Sequence, residues 1–493
     1  MGDHRVSDSR HIHLIAICGV GMSALAGMLQ ARGFRVTGSD QNVYPPMSTQ
    51  LGALGIELRQ GFSPEHLADQ PDLIVVGNAV SRSNPEVQAM LERGLPFLSF
   101  PQALAEFFLQ DRHPIVVVGT HGKTTTASLM AWILETAGLD PSYMIGGLPR
   151  NFAANYKLGS GAFFVIEGDE YDTAFFDKGP KFLHYRPRSA ILTSIEFDHA
   201  DIYRDLEHVQ EAFRRFTHTL PSDGYLAAGV DFPHVAGLLP AVSCAWEGYG
   251  FSALAQWRAS DETWGNGGGH FVVHHQGQMV GSMHWELSGR HNIHNALGVI
   301  AVASHLGVPL ARIQQGLETF AGVKRRQEVR GVVRDITLID DFAHHPTAIR
   351  ETLAALRARY AGRRLWAIFE PRSATSRRAT FQEDFVEAFA HADRVVIAGL
   401  FNPDAIPPES RLSPERLAED IARRWLNPAV YLPHVDAIVK HVAAEARAGD
   451  VMVVMSNGGF GGIHEKLLDA LRASPPTCTL PHKGGGPRGE EPL

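Results

Sequence analysis

At 493 residues the chain is too long for a single hydrophobic core, so we expect about three domains. Its 44% hydrophobic and 20% charged residues are typical of a globular protein, and a net charge of −8 without a basic stripe argues against nucleic acid as the main partner. The three scattered cysteines exclude a disulfide framework, and the lack of a signal peptide or of about 20 consecutive apolar residues predicts a cytoplasmic protein without a membrane span.

The first segment, residues 11–112, alternates strand-like and helix-like stretches, which predicts βαβ units and a parallel sheet. Gly19 and Gly21, followed by Ala24, match the G-x-G-x-x-G/A pattern of dinucleotide-binding loops, and Asp40 ends the second strand about 20 residues later. This pattern allows an NAD site, a site for another nucleotide diphosphate at the helix N-terminus, or a tight structural turn. The pattern alone does not choose among the three.

The second segment, residues 113–323, contains the sequence GTHGKTTT at residues 119–126, between an apolar strand and a helix-like stretch. A glycine-bearing turn of this kind presents backbone N–H groups and a helix N-terminus to an anion, which indicates a phosphate-binding loop. Lys123 would reach the terminal phosphates, and the hydroxyl of Thr124 would bind Mg²⁺. The loop is shorter than the common G-x-x-x-x-G-K-[ST] pattern, because only two residues separate its glycines.

Acidic side chains follow the next apolar strand of this segment. The strand at residues 163–166 leads directly into Glu167, with Asp169 and Glu170 close behind, and such carboxylates suit a divalent metal opposite a phosphate loop. Glu167 is the preferred candidate because it ends the strand. His199 follows a further buried strand, within the acidic sequence EFDHADIY, and is a second candidate metal ligand.

Two features lie near the end of the second segment. The sequence HFVVHHQGQMVGSMHWEL alternates polar and apolar residues about Gln276 and Gly277, which predicts a small antiparallel meander whose histidines lie on a solvated face. Asn292 and Asn295 follow near the start of a helix, where their amides could hydrogen-bond an adenine edge. N-capping of the helix by Asn292 is the alternative.

The third segment, residues 324–474, begins with basic residues. Lys324, Arg325 and Arg326 lie on a short connector between predicted domains. A cation at this position could swing onto a phosphate when the domains close, and a solvated basic linker is the alternative.

Charged and imidazole side chains follow at the next predicted strand end and helix start, namely Asp340, Asp341, His344 and His345. In an open α/β sheet, ribose or phosphate binds at such a position. Further βα repeats complete a third α/β domain. Residues 475–493 have no periodicity and are expected to be disordered.

Taken in order, the motifs GVGMSALA, GTHGKTTT, VIEGDEYD, EFDHADIY, GRHNIHNA, GVKRR and DDFAHHPTAI resemble those of the ATP-dependent Mur ligases of peptidoglycan synthesis over about residues 11–472. The resemblance implies three α/β domains. The N-terminal one would be Rossmann-like and bind a UDP-sugar, the central one would be a P-loop domain that binds ATP, and the C-terminal one would be Rossmann-like and bind an amino acid or peptide. The segments NVYPPMSTQL, EYDTAFFDKGPKF, EPRS and MSNGGFGGIHEKLL are most similar to the peptide-recycling members of the family.

The function implied by the resemblance is that of an ATP-dependent carbon–nitrogen ligase. It would join UDP-N-acetylmuramate to the murein tripeptide L-Ala-γ-D-Glu-meso-diaminopimelate through an acyl phosphate, with Mg²⁺ as cofactor, ATP as co-substrate and no obligate protein partner. A UDP-N-acetylmuramate:L-alanine ligase is the nearest alternative. A nucleotide-binding oxidoreductase and a non-catalytic nucleotide-gated binding protein are alternatives from other classes, and the oxidoreductase leaves the loop at residues 119–126 unexplained.

The resemblance also implies a role for individual residues. Catalysis would depend on Lys123, Glu167, His199, Arg326 and His344. The metal would be held by Thr124, Glu167 and His199. ATP would be bound by Gly119, Thr120, His121, Gly122, Lys123, Thr124, Thr125, Thr126, Asn292, Asn295, Arg326 and Asp341. The UDP-sugar, in place of NAD, would be bound by Gly19, Gly21, Met22, Ser23 and Asp40.

The chain departs from the family pattern at one point. Several Mur ligases use a carbamylated lysine downstream of the metal-binding histidine, but no lysine occurs here between Lys181 and Lys324. The second metal site must therefore be completed in another way, as in the L-alanine ligases.

Overall fold

The computed structural model describes residues 10–43, 47–265 and 268–473. The tail predicted at residues 475–493 and the proline pair of the NVYPPMSTQL segment lie outside the described residues. Within the described ranges the strands form three large sheets, one in each of three domains, and one separate two-stranded hairpin. No helix in these ranges is both long enough and apolar enough to cross a membrane.

The first domain is a parallel sheet of five strands. Its strands are β1 (His11–Ile15), β2 (Arg35–Asp40), β3 (Glu57–Gln60), β4 (Leu73–Val76) and β5 (Phe97–Ser99). Its helices are α1 (Val20–Ala31), α2 (Met47–Ala53), α3 (Pro85–Glu92) and α4 (Phe100–Leu104). The strand order is β3-β2-β1-β4-β5, and every neighbouring pair is parallel. The order reverses between β1 and β4, which is where open α/β sheets bind ligands, and α1 follows β1 at that point.

The second domain is built on a mixed sheet of ten strands. In chain order the strands of the domain are β6 (His113–Val118), β7 (Ser142–Met144), β8 (Tyr156–Lys157), β9 (Phe163–Glu167), β10 (Asp172–Ala174), β11 (Asp177–Pro180), β12 (Ser189–Leu192), β13 (Tyr225–Gly229), β14 (Ala245–Gly250), β15 (Trp257–Gly265), β16 (Gly268–His275) and β17 (Gln278–Trp285). Its helices are α5 (Lys123–Thr136), α6 (Leu206–Thr217), α7 (Pro233–Ala236), α8 (Arg290–His305) and α9 (Leu310–Glu318). The order in the sheet is β17-β16-β15-β14-β13-β12-β6-β9-β7-β8, and β10 pairs with β11 in the separate hairpin.

The strand order of the second domain determines where its loops meet. β12, β6 and β9 are neighbours and run parallel, so their carboxyl ends lie at the same edge of the sheet. The loops that leave these strands begin at residues 119, 168 and 193. The phosphate loop, the acidic run and the EFDHADIY motif therefore meet at one edge.

The predicted antiparallel meander is confirmed, but it extends the main sheet instead of forming a separate one. β15, β16 and β17 pair antiparallel, and β15 continues the sheet through a short parallel pairing with β14. Phe271 and Val273 of β16 are buried, whereas His270 and His274 are partly exposed. The alternation of the sequence thus matches the two faces of the strand.

The third domain has a six-stranded sheet. Its strands are β18 (Glu328–Val333), β19 (Ile336–Asp341), β20 (Leu365–Phe369), β21 (Arg394–Ala398), β22 (Ala429–Leu432) and β23 (Val451–Met455). Its helices are α10 (Pro346–Arg359), α11 (Gln382–Ala388), α12 (Pro414–Trp425), α13 (Val435–Glu445) and α14 (Ile463–Ala473). The order is β18-β19-β23-β20-β21-β22, with β18 antiparallel to β19 and all other pairs parallel.

The apolar cores differ in how they join the domains. One cluster of buried residues is continuous across the first and second domains and includes Leu25 of α1, Phe108 of the connecting segment and Val116 of β6. α1 also approaches β8 so closely that a Cβ on Gly27 would lie 2.1 Å from the hydroxyl oxygen of Tyr156. The third domain has two clusters of its own, one on each face of its sheet.

Candidate active site

The phosphate loop connects the buried strand β6 to α5. Gly119 and Gly122 have φ angles of 132° and 82°, which L side chains rarely adopt. Neither position has room for a side chain, because a Cβ on Gly119 would lie 2.1 Å from the hydroxyl of Thr193 and one on Gly122 would lie 2.3 Å from the amide oxygen of Asn295. The short glycine spacing therefore gives a tight turn that packs against α8 and the residue after β12.

Lys123 is folded back over this loop. Its Nζ donates to the carbonyl oxygens of Gly119 at 2.6 Å and Thr120 at 3.3 Å, and it lies 2.7 Å from Oε2 of Glu170. Burial lowers the pKa of Lys123, but the Glu170 carboxylate more than offsets this effect and the net shift is upward. The ammonium group is therefore charged and held at the loop, where an anion would meet it.

Two of the three predicted metal ligands lie in contact. Oγ1 of Thr124 donates to Oε1 of Glu167 at 2.9 Å, and Oε2 of Glu167 accepts the N–H of Gly146 at 2.8 Å. Mg²⁺ prefers oxygen ligands and keeps several waters, so a hydroxyl beside a carboxylate fits this ion. That these residues bind Mg²⁺ stays a prediction.

The third predicted ligand, His199, contacts a different acid. Its Nε2 lies 3.0 Å from Oε1 of Glu170, the carboxylate that also pairs with Lys123. Burial lowers the pKa of His199, but the hydrogen bond to Glu170 and the negative charges of Glu170 and Asp198 together raise it by more. The position of Glu167 at the strand end favours it as the metal ligand, whereas Glu170 lies between the phosphate loop and His199. The acidic run of Glu167, Asp169 and Glu170 is the sequence signal for a site here. The spacing of these three residues does not show which of them contacts His199.

The connector to the third domain carries two arginines in different environments. Arg325 donates to the carbonyl oxygens of Ser456 and Gly458, at 2.7 Å in each case. Arg326 faces the central cavity, and its guanidinium carbon lies 4.9 Å from the centre of the Phe342 ring. Both arginines line the central cavity, and the bonds to Ser456 and Gly458 hold Arg325 against the third domain.

Asp341, predicted to contact ribose, orders the backbone around it. Its Oδ2 accepts the N–H of Gln327 at 2.8 Å, and its Oδ1 accepts the N–H of Ala343 at 2.8 Å. Burial raises the pKa of Asp341, and the charge of Arg326 opposes this shift. Asp341 thus ties the connector to the loop before α10, and its contact with ribose stays a prediction.

His344 lies in that loop, and the hydrogen-bond partner of its Nδ1 determines which ring nitrogen carries the proton. Its Nδ1 is 3.0 Å from the carbonyl oxygen of Phe342, and because a carbonyl only accepts, Nδ1 carries the proton. Burial lowers the pKa of His344, so its ring is neutral near pH 7 and its Nε2 is unprotonated. The side chain lines the central cavity. It can therefore accept a proton there.

The two asparagines predicted to contact adenine are buried at the start of α8. The N-cap of α8 is Gly289, and Asn292 lies inside the first turn, where its Nδ2 donates to the carbonyl oxygen of Ser288 at 2.7 Å. The N-capping interpretation of Asn292 is therefore wrong, because the helix begins upstream of it. Asn292 and Asn295 both line the cavity, and their contact with adenine stays a prediction.

The glycine loop of the first domain is held by Asp40. Gly19 is the N-cap of α1, and a Cβ on Gly21 would lie 3.3 Å from the ring of Phe100. Oδ2 of Asp40 accepts the N–H of Cys18 at 2.9 Å. Asp40 thus fixes the turn that leads into α1, as expected of a residue that supports a ligand-binding loop.

Some side chains at the start of α1 are buried in the protein interior, whereas others line the central cavity. Met22 and Ser23 are 6% and 3% exposed. A ligand at this loop would therefore meet backbone N–H groups of the helix N-terminus and not these two side chains. Val20 is 49% exposed and lines the central cavity together with Met47 and Gln50.

The central cavity has a volume of about 1390 Å³ and lies where the three domains meet. Residues 120–125 of the phosphate loop line it, whereas Gly119 and Thr126 are not among its described lining residues. Side chains from the other loops complete it, including Glu167, His199, Arg326, Asp341 and His344. One space thus contains most of the residues predicted for the nucleotide and the metal.

Two acids that the sequence analysis did not select connect the second and third domains. Thr347 Oγ1 donates to Oε2 of Glu196 at 2.7 Å, and Thr375 Oγ1 donates to Oδ1 of Asp198 at 2.6 Å. Both acids belong to the EFDHADIY motif, from which only the histidine was chosen. The partners are 151 and 177 residues away in sequence, so no local signal could have found them.

Family models match the chain over most of its length. The Mur ligase family catalytic domain matches residues 11–112, the Mur ligase middle domain matches residues 117–303, and the Mur ligase glutamate ligase domain matches residues 325–458. The chain belongs to the Mur ligase family. The predicted α/β fold of three domains and the predicted enzyme class, a ligase, are both confirmed by this membership.

Individual Mur ligases are similar along almost the whole chain. The UDP-N-acetylmuramate–L-alanyl-γ-D-glutamyl-meso-2,6-diaminoheptandioate ligase of Escherichia coli K12 is 44% identical over 461 residues, which are 93% of this chain and 98% of that one. The UDP-N-acetylmuramate–L-alanine ligase of Geotalea uraniireducens Rf4 is 35% identical, over 94% of this chain and 98% of that one. The crystal structure of a murein peptide ligase from Psychrobacter arcticus 273-4 is 39% identical, with a TM-score of 0.69, and the match covers 94% of this chain and 99% of that one.

Proposed function

We propose that the chain is an ATP-dependent ligase that joins UDP-N-acetylmuramate to L-alanyl-γ-D-glutamyl-meso-diaminopimelate and so serves the recycling of peptidoglycan peptides. The observation that carries the proposal is a charged phosphate loop that opens into a cavity lined by all three domains. The choice of substrates is supported by the 44% identity to the Escherichia coli ligase of that name, against 35% to the L-alanine ligase of Geotalea uraniireducens.

The first chemical step is a phosphoryl transfer. An oxygen of the lactyl carboxylate of UDP-N-acetylmuramate attacks the γ-phosphorus of ATP, which forms an acyl phosphate and releases ADP. Negative charge gathers between the two reactants, and Lys123 and Arg326 are the cations placed to offset it. Thr124 and Glu167 would hold Mg²⁺, whose charge would help to neutralise the phosphate oxygens.

The second step forms the amide bond. The amine of the peptide's L-alanine attacks the acyl carbon, the bond from that carbon to the phosphate oxygen breaks, and inorganic phosphate leaves. The attacking amine must lose a proton. We assign its acceptor as Nε2 of His344, because this nitrogen is unprotonated in a side chain that lines the cavity.

The first domain binds the sugar nucleotide. The backbone N–H groups at the start of α1 meet the diphosphate of UDP-N-acetylmuramate, and Asp40 keeps their turn in place. The half-exposed Val20 lies at the wall shared with the central cavity, so the muramyl group can extend from this loop toward the phosphate loop.

An assay of ADP and phosphate release tests the proposal. Purified protein with ATP and Mg²⁺ is expected to release both products only when UDP-N-acetylmuramate and the tripeptide are present together. Free L-alanine in place of the tripeptide serves as the competing substrate. Turnover with L-alanine but not with the tripeptide would assign the chain to the alternative, the L-alanine ligase. Nucleotide hydrolysis that is independent of any muramyl substrate would instead support a nucleotide-gated binding protein.

A further inference from the structure

Three side chains converge beside the phosphate loop without a role in the two chemical steps, although the resemblance assigns one of them, His121, to ATP binding. His121 belongs to the loop itself, Glu196 follows β12, and His345 precedes α10 of the third domain. Nε2 of His121 lies 3.1 Å from Oε2 of Glu196, and Nδ1 of His345 lies 3.7 Å from the same oxygen. One nitrogen or oxygen from each residue lies within 4.8 Å of those of the other two. The two separations of 3.1 and 3.7 Å are compatible with ligands that each lie about 2.1 Å from one ion.

The protonation of His345 suits a metal ligand. Its Nε2 lies 3.2 Å from the carbonyl oxygen of Phe197, and its Nδ1 accepts the N–H of Thr347 at 3.3 Å. The proton is therefore on Nε2, and a metal ion bound to the lone pair of Nδ1 would replace its hydrogen bond from Thr347. Metal-binding histidines typically donate their second N–H to a carbonyl or carboxylate in this way, which fixes the ring and its tautomer.

The charge state of the cluster also favours a cation. Burial lowers the pKa of His345 to about 4, so its ring is neutral near pH 7. Glu196 accepts hydrogen bonds from His121 and Thr347, which stabilise the charged form of its carboxylate. The group therefore offers one carboxylate and two imidazoles, with side chains of His121 and Glu196 that are 22% and 26% exposed and accessible from the cavity.

We propose that His121, Glu196 and His345 form a binding site for Zn²⁺ that shares no ligand with the Mg²⁺ site at Thr124 and Glu167. Two imidazoles and one carboxylate are a common ligand set for Zn²⁺, whereas Mg²⁺ selects oxygen ligands. Three protein ligands leave a fourth position open, and the cavity lies beside it.

Zn²⁺ at this site would couple the phosphate loop to the third domain. His121 lies between the two glycines of the loop, and His345 is the N-cap of α10. An ion that holds both residues would oppose separation of the second and third domains, which product release requires if closure accompanies turnover. Zn²⁺ is therefore expected to inhibit ligation, and the inhibition should depend on His345.

Cobalt binding to the metal-free, full-length protein tests the proposal. Co²⁺ is titrated in the presence of saturating MgCl₂, and its d–d absorption bands report a site of low coordination number that contains imidazole. We expect a single equivalent to bind and one equivalent of Zn²⁺ to displace it. The His345→Asn variant keeps a residue that can cap α10 and should weaken Co²⁺ binding about 10- to 100-fold.

Three further variants distinguish this site from the Mg²⁺ site and from damage to the fold. Glu196→Gln keeps the shape of a partly exposed side chain and should also weaken Co²⁺ binding. If His345→Asn does not fold, Glu196→Gln tests whether Co²⁺ binds at this site. Glu167→Gln removes a ligand of the Mg²⁺ site and should leave the cobalt bands intact, as should His441→Gln on the distant helix α13. Cobalt binding that survives both His345→Asn and Glu196→Gln, or that is lost in Glu167→Gln, would overturn the proposal.

Discussion

The junction between the first and second domains and the junction between the second and third are held by different kinds of contact. The first junction is a continuous apolar cluster that contains Phe108 and Val116. The second junction is crossed by hydrogen bonds to acidic side chains, such as that from Thr375 to Asp198 at 2.6 Å, and by a smaller apolar contact in which Phe197 stacks on Phe381. Opening the second junction would therefore expose less apolar surface than opening the first and would exchange mainly polar contacts for water.

This difference indicates which part of the enzyme moves. Separating the first and second domains would expose apolar surface, so the glycine loop before α1 and the phosphate loop stay in fixed relation. Arg326 and His344 lie on the other side of the polar junction, at the connector and in the loop before α10. Movement of the third domain would therefore bring these two residues to substrates already bound by the other domains.

The largest expected effect comes from the apolar junction. Phe108 is 4% exposed, and Phe108→Ala is expected to lower the free energy of unfolding by about 3–5 kcal/mol, because the ring is lost and a cavity remains. Urea unfolding followed by circular dichroism measures the change. Leu254→Ala, at a residue that is 74% exposed, is the matched control and should change stability by less than about 0.5 kcal/mol. Equal stability of the two variants would contradict an apolar junction.

The next largest effect is on catalysis at the phosphate loop. Lys123→Ala is expected to reduce kcat by on the order of 100- to 1000-fold, because the loop loses the cation that faces the transferred phosphoryl group. ADP release in the complete assay measures it, and Lys440→Ala on an exposed position of α13 should retain wild-type activity.

Removal of Lys123 also leaves the buried Glu170 without its partner, so a second variant separates catalysis from folding. Lys123→Arg keeps a cation beside Glu170 and is expected to fold, yet it should remain strongly impaired because a guanidinium has a different shape and reach. Ligation at the wild-type rate by Lys123→Ala would refute the assignment of the phosphate loop.

Residues that act through local sequence could be predicted, and those that act across domains could not. The phosphate loop is a strand, a turn and a helix within one short segment, so its glycines and Lys123 follow from spacing alone. Glu170 has a role because Lys123, 47 residues before it, and His199, 29 residues after it, both contact its carboxylate. The roles of Glu196 and Asp198 depend on partners in the third domain, which no local pattern specifies.

Element types were easier to predict than their ends and their neighbours. The alternation around Gln276 correctly predicts a meander, but the pairing of β15 with β14 depends on a contact that the alternation does not encode. Asn292 is suited chemically to an N-cap, and Gly289 takes that position because the chain enters α8 there with a φ of 100°. The chemical suitability of Asn292 for an N-cap therefore predicts the start of α8 only to within a few residues.

A smaller effect is expected from the polar junction. Thr375→Val removes the hydrogen bond to Asp198 and should lower kcat about tenfold, because the closed arrangement becomes less populated. The melting temperature should stay close to wild type, since this contact joins domains and does not hold either core together. Thr375→Ser keeps the hydroxyl and should restore the rate. A variant that melts early but retains its kcat would show that the contact is structural.

The most direct probe of the polar junction is the titration of His345, with His294 as an internal reference. Burial lowers the pKa of His345 to about 4, and burial does the same for His294, which lies inside the second domain. Because the unfolded chain takes up these protons near pH 6.5 and the folded chain only near pH 4, the free energy of unfolding should fall as the pH is lowered from 6.5 to 4.

The two histidines respond differently if the third domain moves away. In metal-free protein, NMR titration of the imidazole signals, with His345→Asn for assignment, should give a pKa of about 4 for both rings when the junction is closed. An open junction would expose His345 and return its pKa to the ordinary value of 6.5, while His294 stays near 4 because its environment lies within one domain. Addition of ATP and UDP-N-acetylmuramate should then shift His345 back toward 4. A pKa of 6.5 for both rings would instead indicate that the second domain itself is loosely packed.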